Sequence, residues 1–301
     1  MTINATQHDR LLTIVLDCLG DQGAEVLEGG WAVRTGSGGV LGLVNLAQEL
    51  AGIPDEEWSE IIRSRVTSLV GVDRDLPADY AAAGPRLRVR LSADGSVPGW
   101  AAFRRVCDGL DETLMMRNEV GCITVPPAQS EVWGVSLDRM WEDARQQTIW
   151  DEPRERRLLA KGDMRMVWVR ANFFASSVLL DLAHLLSPGN RFGALAMVPC
   201  RDALLYTEVV DERVALSTAG MIEIGSQWYV DGPGSISPEV FWYRPDRTIT
   251  RVVRVEGTEF ITCWDAEFSR VLAQIEREQN ERNQIERRGA SPMKRRKRTT
   301  P

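Results

Sequence analysis

Histidine and lysine are nearly absent from this chain. Two histidines (His8, His184) and three lysines (Lys161, Lys294, Lys297) are all that 301 residues contain. Two histidines far apart in sequence do not make a His-based metal site. The five cysteines (Cys18, Cys107, Cys122, Cys200, Cys263) are odd in number, scattered and never at C-x-x-C spacing. That excludes a disulfide framework or a thiolate zinc site as the first reading and fits reduced thiols. No apolar run approaches the roughly 20 residues that span a bilayer. The start MTINATQHDRLL puts His8, Asp9 and Arg10 where a secretory signal needs a basic start and an apolar core. The expectation is a cytoplasmic protein with no metal, no cofactor and no membrane span.

Arginine takes the place of lysine, with 33 of the 36 basic residues. We read this as the codon bias of a GC-rich bacterial genome. The formal charge is −7, yet from Arg270 onward ten basic residues outnumber four acidic ones, leaving a remainder near −13. An acidic body does not favour nucleic acid or anionic membrane. The basic run Lys294-Arg295-Arg296-Lys297-Arg298 does, through counterion release or attraction to acidic lipid, but without interleaved aromatics it supports only weak, non-specific contact.

Periodicity gives the elements. A first helix is expected over Gln7–Leu19, capped by Thr6, and short strands over Glu25–Val33. The glycine-rich Thr35–Gly39 lacks the Lys-Ser/Thr of a phosphate loop and reads as a flexible turn. A helix over Leu41–Leu50 follows, then one opened by Pro54 with Asp55, Glu56 and Glu57 in its first turn. Residues 72–85 read as a linker. Arg86-Leu87-Arg88-Val89-Arg90-Leu91 alternates strictly, so its arginines line one strand face. Strands are expected at Thr113–Met116 and Gly121–Val125, and a helix from Ser136 to Gln147 with Ser136 as cap. Beyond a charged connection (Trp150–Arg157) come a strand at Met164–Val169, a helix at Ser176–Leu186, and a hairpin of Ala194–Val198 and Ala203–Tyr206 turning at Pro199–Asp202. A helix over Val210–Tyr229, a hairpin of Glu239–Tyr243 and Thr248–Val255, and a helix from Asp265 close the folded part.

Clustered strands without βαβ alternation give an α+β fold, with mixed or antiparallel sheets and packed helices. The expected organisation is an N-terminal region at 1–75, a main domain at 86–264, a protruding helix at 265–288, and a disordered basic tail at 289–301.

Four stretches carry a resemblance: Val40–Gln48 with Pro54–Trp58, Val132–Ser136, Ala194–Tyr206 with its Val-Pro-x-Arg-x-x-Leu-Leu centre, and Ser235–Tyr243. They resemble segments of uncharacterised actinobacterial proteins, which are themselves similar in outline to the YtpQ-like family of unknown function. The resemblance spans Asp9 to Tyr243. It implies an intracellular bacterial protein without an assigned reaction, transfers no catalytic residue, and implies that the residue at position 200 varies.

Candidate chemistry is sparse. Cys200-Arg201-Asp202 is the most site-like tripeptide, since an arginine beside a thiol on a turn lowers its pKa; a nucleophile there would have only His8 or His184 as base. Arg86, Arg88 and Arg90 form either an anion-binding row or, preferred in an acidic body, a half-exposed face meeting water or acidic neighbours. The acidic clusters Asp55/Glu56/Glu57, Asp111/Glu112, Asp151/Glu152 and Asp211/Glu212 read as solvated charge in connections or first helical turns. Trp133, Trp141, Trp168, Trp228, Trp242 and Trp264 read mainly as core anchors, with partner contact as the alternative. No catalytic residue is assigned. The leading expectation is a non-enzymatic adaptor acting through another protein. One alternative is an enzyme with a carboxylate and arginine site near Cys200–Asp202, and another is a regulator touching nucleic acid through the tail.

Overall fold

The computed structural model describes residues 3–20, 23–27, 30–35, 40–70, 76–97, 99–118, 121–151, 154–171 and 173–289. The expected glycine turn at 36–39 and the basic run at 294–298 lie outside these residues. The chain is α+β, and every strand pairing found is antiparallel.

The N-terminal region has its own apolar core. Helix α1 (Ala5–Leu19) begins at Asn4 rather than Thr6. Asn4 Oδ1 accepts the Gln7 N–H at 2.9 Å while Gln7 Oε1 accepts the Asn4 N–H at 3.1 Å, a reciprocal cap that Thr6 cannot make. Strands β1 (Glu25–Val26), β2 (Ala32–Arg34) and β3 (Val40–Gly42) form a small sheet. The helix expected over Leu41–Leu50 is therefore shorter. Val40–Gly42 pairs with β2, and α2 covers only Val44–Leu50. Leu11, Val15 and Leu19 pack on Trp58, Ile62 and Val66 of α3 (Trp58–Val70).

The expected linker at 72–85 carries α4 (Tyr80–Ala83). Next comes a four-stranded sheet in which β6 (Leu110–Arg117) lies between β4 (Leu87–Ala93) and β5 (Phe103–Cys107) and also pairs with β7 (Cys122–Thr124). Helix α5 (Gln129–Trp133) precedes α6 (Leu137–Gln146), which starts at Ser136 as expected, its Oγ accepting the Arg139 N–H. Met140, Trp141 and Ala144 of α6 cover Leu87, Val89, Leu114 and Met116.

A seven-stranded sheet follows. Its strands are β8 (Glu155–Lys161), β9 (Met164–Arg170), β10 (Ala194–Cys200), β11 (Ala203–Glu208), β12 (Val240–Tyr243), β13 (Ile249–Glu256) and β14 (Glu259–Thr262), in the order β14-β13-β12-β10-β11-β9-β8. Of the charged stretch Trp150–Arg157 read as a connection, Glu155–Arg157 thus belong to strand β8, and Trp150 and Asp151 end a helical turn, Gln147–Asp151. Central β10 is buried at every position. On one face Leu195 and Met197 meet α7 (Arg213–Asp231) and α8 (Ala266–Gly289) through Met221 and Phe268. On the other, Ala194, Ala196 and Val198 meet Leu179 and Leu182 of a 3-10 run, Ser176–Leu185, kinked at Asp181. Gly193, at φ 74°, lets the chain enter β10 against β12: a Cβ there would sit 1.9 Å from the Tyr243 carbonyl oxygen.

Candidate functional site

The β10–β11 hairpin turns on two residues, Arg201 and Asp202, because Pro199 and Cys200 continue the strand and Cys200 pairs with Ala203. The turn is bound on every side. The Arg201 N–H donates to the Gly234 carbonyl at 3.0 Å, and the Arg201 carbonyl accepts the Ser176 N–H at 3.3 Å. Asp202 Oδ1 accepts the Phe173 N–H at 2.8 Å, holding Phe173 at φ 67°. The Arg201 guanidinium lies 4.4 Å from the centroid of the Phe173 ring.

Cys200 departs from expectation. It is only 3% exposed, and burial pushes its thiol up to about 11, outweighing the lowering influence of Arg201. A protonated thiol is a poor nucleophile. His184 lies toward the other end of the 3-10 run, its Nδ1 donating to the Asp181 carbonyl, and burial pulls its pKa down.

The arginine row also differs from the half-exposed face expected. Both faces of β4 are covered, and its free edge is capped by side-chain hydroxyls instead of a strand. Thr148 Oγ1 accepts the Val89 N–H at 2.9 Å, and Ser177 Oγ accepts the Leu91 N–H at 3.1 Å. Arg86 donates from Nε to the Arg117 carbonyl at 2.9 Å. Arg88, 7% exposed, donates from Nη1 to the carbonyls of Pro85 and Leu87. Arg90 sits deep with part of its side chain still reaching solvent, and its guanidinium makes no hydrogen bond or ion pair with the described residues. Burial lowers its pKa most; Cys122 opposes this and the neighbouring Arg201 charge adds to it.

Two consecutive serines make Arg90 and Arg201 neighbours. Ser177 holds the β4 edge beside Arg90 while Ser176 holds the turn at Arg201. The sequence offers both arginines but not the proximity of their segments, since Ser176-Ser177 carries only the signal of a helix start.

The acidic pair Asp111/Glu112 is not in a connection. Both lie in β6, each 1% exposed, where Arg105 Nε reaches Asp111 at 2.8 Å and Arg145 clamps Glu112 through Nε at 3.0 Å and Nη2 at 2.7 Å. Asp211 and Glu212 do precede α7 near the surface, and Asp55–Glu57 form a 3-10 turn before α3. Glu152 lies outside the described residues. Trp133, Trp141 and Trp242 are core anchors and Trp168 and Trp228 pack, partly buried, on the cluster that holds Trp242, but Trp264 is exposed.

One feature carried no signal in the sequence. Where the loop 187–190 and the start of α7 overhang the end of the seven-stranded sheet, a cavity of about 440 Å³ opens. Met166, Val167 and Tyr206 line it, Arg165 and Glu208 contribute charge, and Leu158 of β8 and Val210 stand at it 65% and 51% exposed. Strand β8 pairs with β9 alone, so its outer row of backbone groups is free among the described residues.

Among the described residues, no cluster of three or more His, Cys, Asp or Glu would hold a metal ion, and no helix is long and apolar enough to cross a membrane. No family model, curated protein or solved structure matches the chain.

Proposed function

We propose that this protein is a non-enzymatic adaptor that receives an extended segment of a partner protein along the outer edge of β8. The observation that carries the reading is the open seven-residue edge beside a cavity whose lining mixes apolar and charged side chains. A free strand edge supplies main-chain hydrogen bonds to an added strand, and an adjacent recess selects one of its side chains. Arg156, Arg157 and Lys161 on the same edge discourage indiscriminate sheet-to-sheet association, so the edge is selective without being closed. At the β10–β11 turn, a protonated Cys200 and an Asp202 bonded to Phe173 favour support over catalysis.

The test is co-purification from the native host with the full chain and with Leu158→Glu. Leu158 is exposed, so the variant keeps its stability within about 0.5 kcal/mol while losing the partner. Equal recovery by both proteins, or turnover in a substrate screen with no partner recovered, would sink the reading.

A further inference from the structure

We propose that Arg90 and Arg201 form a binding site for a phosphate group, free or carried by a small phosphomonoester, where β4 meets the β10–β11 turn. The site differs from its surroundings in how its charges are matched. Arg105 and Arg145 each clamp a buried carboxylate, and Arg86 and Arg88 each donate to backbone carbonyls. Arg90 has no such partner among the described residues. Arg201 is located by the Phe173 ring. Its Nε is buried without a hydrogen bond, and Asp202, its ion-pair partner at 3.3 Å, also accepts the Phe173 N–H. A third donor stands at the same junction: Ser176 is fully buried and its hydroxyl has no hydrogen-bond partner.

A guanidinium that is largely withdrawn from water without a counter-charge is unfavourable, and the neighbouring Arg201 charge, only partly met by Asp202, makes Arg90 more so. An anion bound between the two supplies the counter-charge that Arg90 lacks. The donors come from a strand, a turn and a 3-10 run, which suits the several oxygens of a tetrahedral phosphate better than a planar carboxylate, and arginine forks fit phosphate oxygens two at a time. The site is also rigid before any ligand arrives, because Ser176, Ser177, Gly234 and Asp202 fix the backbone on both sides.

The test is calorimetric titration of the full chain, at constant ionic strength, with inorganic phosphate, glycerol 3-phosphate and acetate, alongside melting in phosphate-free buffer. Saturable binding of either phosphate probe is expected, the tighter of the two naming the source. Arg90→Gln and Arg201→Gln should each weaken it about tenfold or more, the loss of one charge-assisted bond, while Arg86→Gln leaves it unchanged. Arg90→Gln should also melt higher than the parent in phosphate-free buffer, since it removes an unmatched charge. The proposal fails if neither phosphate binds, if acetate binds as tightly, if Arg90→Gln binds phosphate like the parent, or if that variant melts lower.

Discussion

Gln48 and Ser235, 187 positions apart, meet side chain to side chain, with Gln48 Nε2 donating to Ser235 Oγ at 2.7 Å. The same amide accepts the Gly234 N–H through Oε1 at 3.2 Å. Gly234 in turn supports Arg201, and Ile236 donates to the Pro199 carbonyl at 2.9 Å. A single amide on α2 therefore joins the N-terminal region to the segment that braces the β10–β11 turn. Gln48→Ala should cost about 1–2 kcal/mol for the two lost bonds. Urea denaturation measures this, and faster proteolysis near residue 234 would report the loosened brace.

The buried thiols make the fold sensitive to alkali. Burial raises Cys200 to about 11 and Cys107 to about 12, both above the ordinary 9.0, so the folded state holds these protons more tightly than the unfolded chain does. Their contribution is complete below pH 9 and declines as pH climbs toward those values. Denaturation midpoints should fall between pH 9 and pH 10.5, and less steeply in Cys107→Ala/Cys200→Ala. At pH 8, exposed Cys263 should react with a thiol reagent ahead of Cys200.

Glu112 is nearly fully buried and depends on Arg145, which remains partly in solvent. Arg145→Ala leaves the carboxylate stranded in β6. The loss should be about 2–3 kcal/mol, below the usual figure for a broken buried pair because water reaches the arginine side. Glu112→Leu/Arg145→Leu should recover most of it, a pattern a double-mutant cycle by urea denaturation would establish.

Gly193→Ala combines a left-handed backbone with a methyl group driven against the Tyr243 carbonyl. Each effect is worth about 1–3 kcal/mol, so a total of about 3 kcal/mol or more is expected. Melting temperature measures it, and Asn190→Ala, which removes bonds around the same turn without a clash, should cost less.

What the sequence made legible was local. Ser136 and the apolar stripe of α6 are three turns of chain and need no distant partner to be recognised. The apolar runs of β10 and β11 are equally self-contained. Strands β5, β8 and β14 escaped because they lie away from the sheet centres, where exposed side chains erase the alternation that marks a half-buried strand. Asp111 and Glu112 misled for the opposite reason: consecutive carboxylates look solvated unless Arg105 and Arg145 are known to reach them. The Arg90–Arg201 junction depends on Ser176 and Ser177 touching two elements 86 and 25 positions away, a relationship that exists only in three dimensions.

Helix α8 is docked through Phe268 and Ile275, and Glu278 pairs with Arg191 at 2.7 Å. From there to Gly289 the helix runs on with Ile285 in solvent. At 1.5 Å per residue that stretch is about 16 Å long, roughly two Debye lengths at physiological ionic strength. A charge attached where the helix ends is therefore screened from the acidic body in ordinary salt. Lowering the salt couples the two again, so whatever the helix carries would respond to the net charge of the rest of the molecule only in dilute buffer.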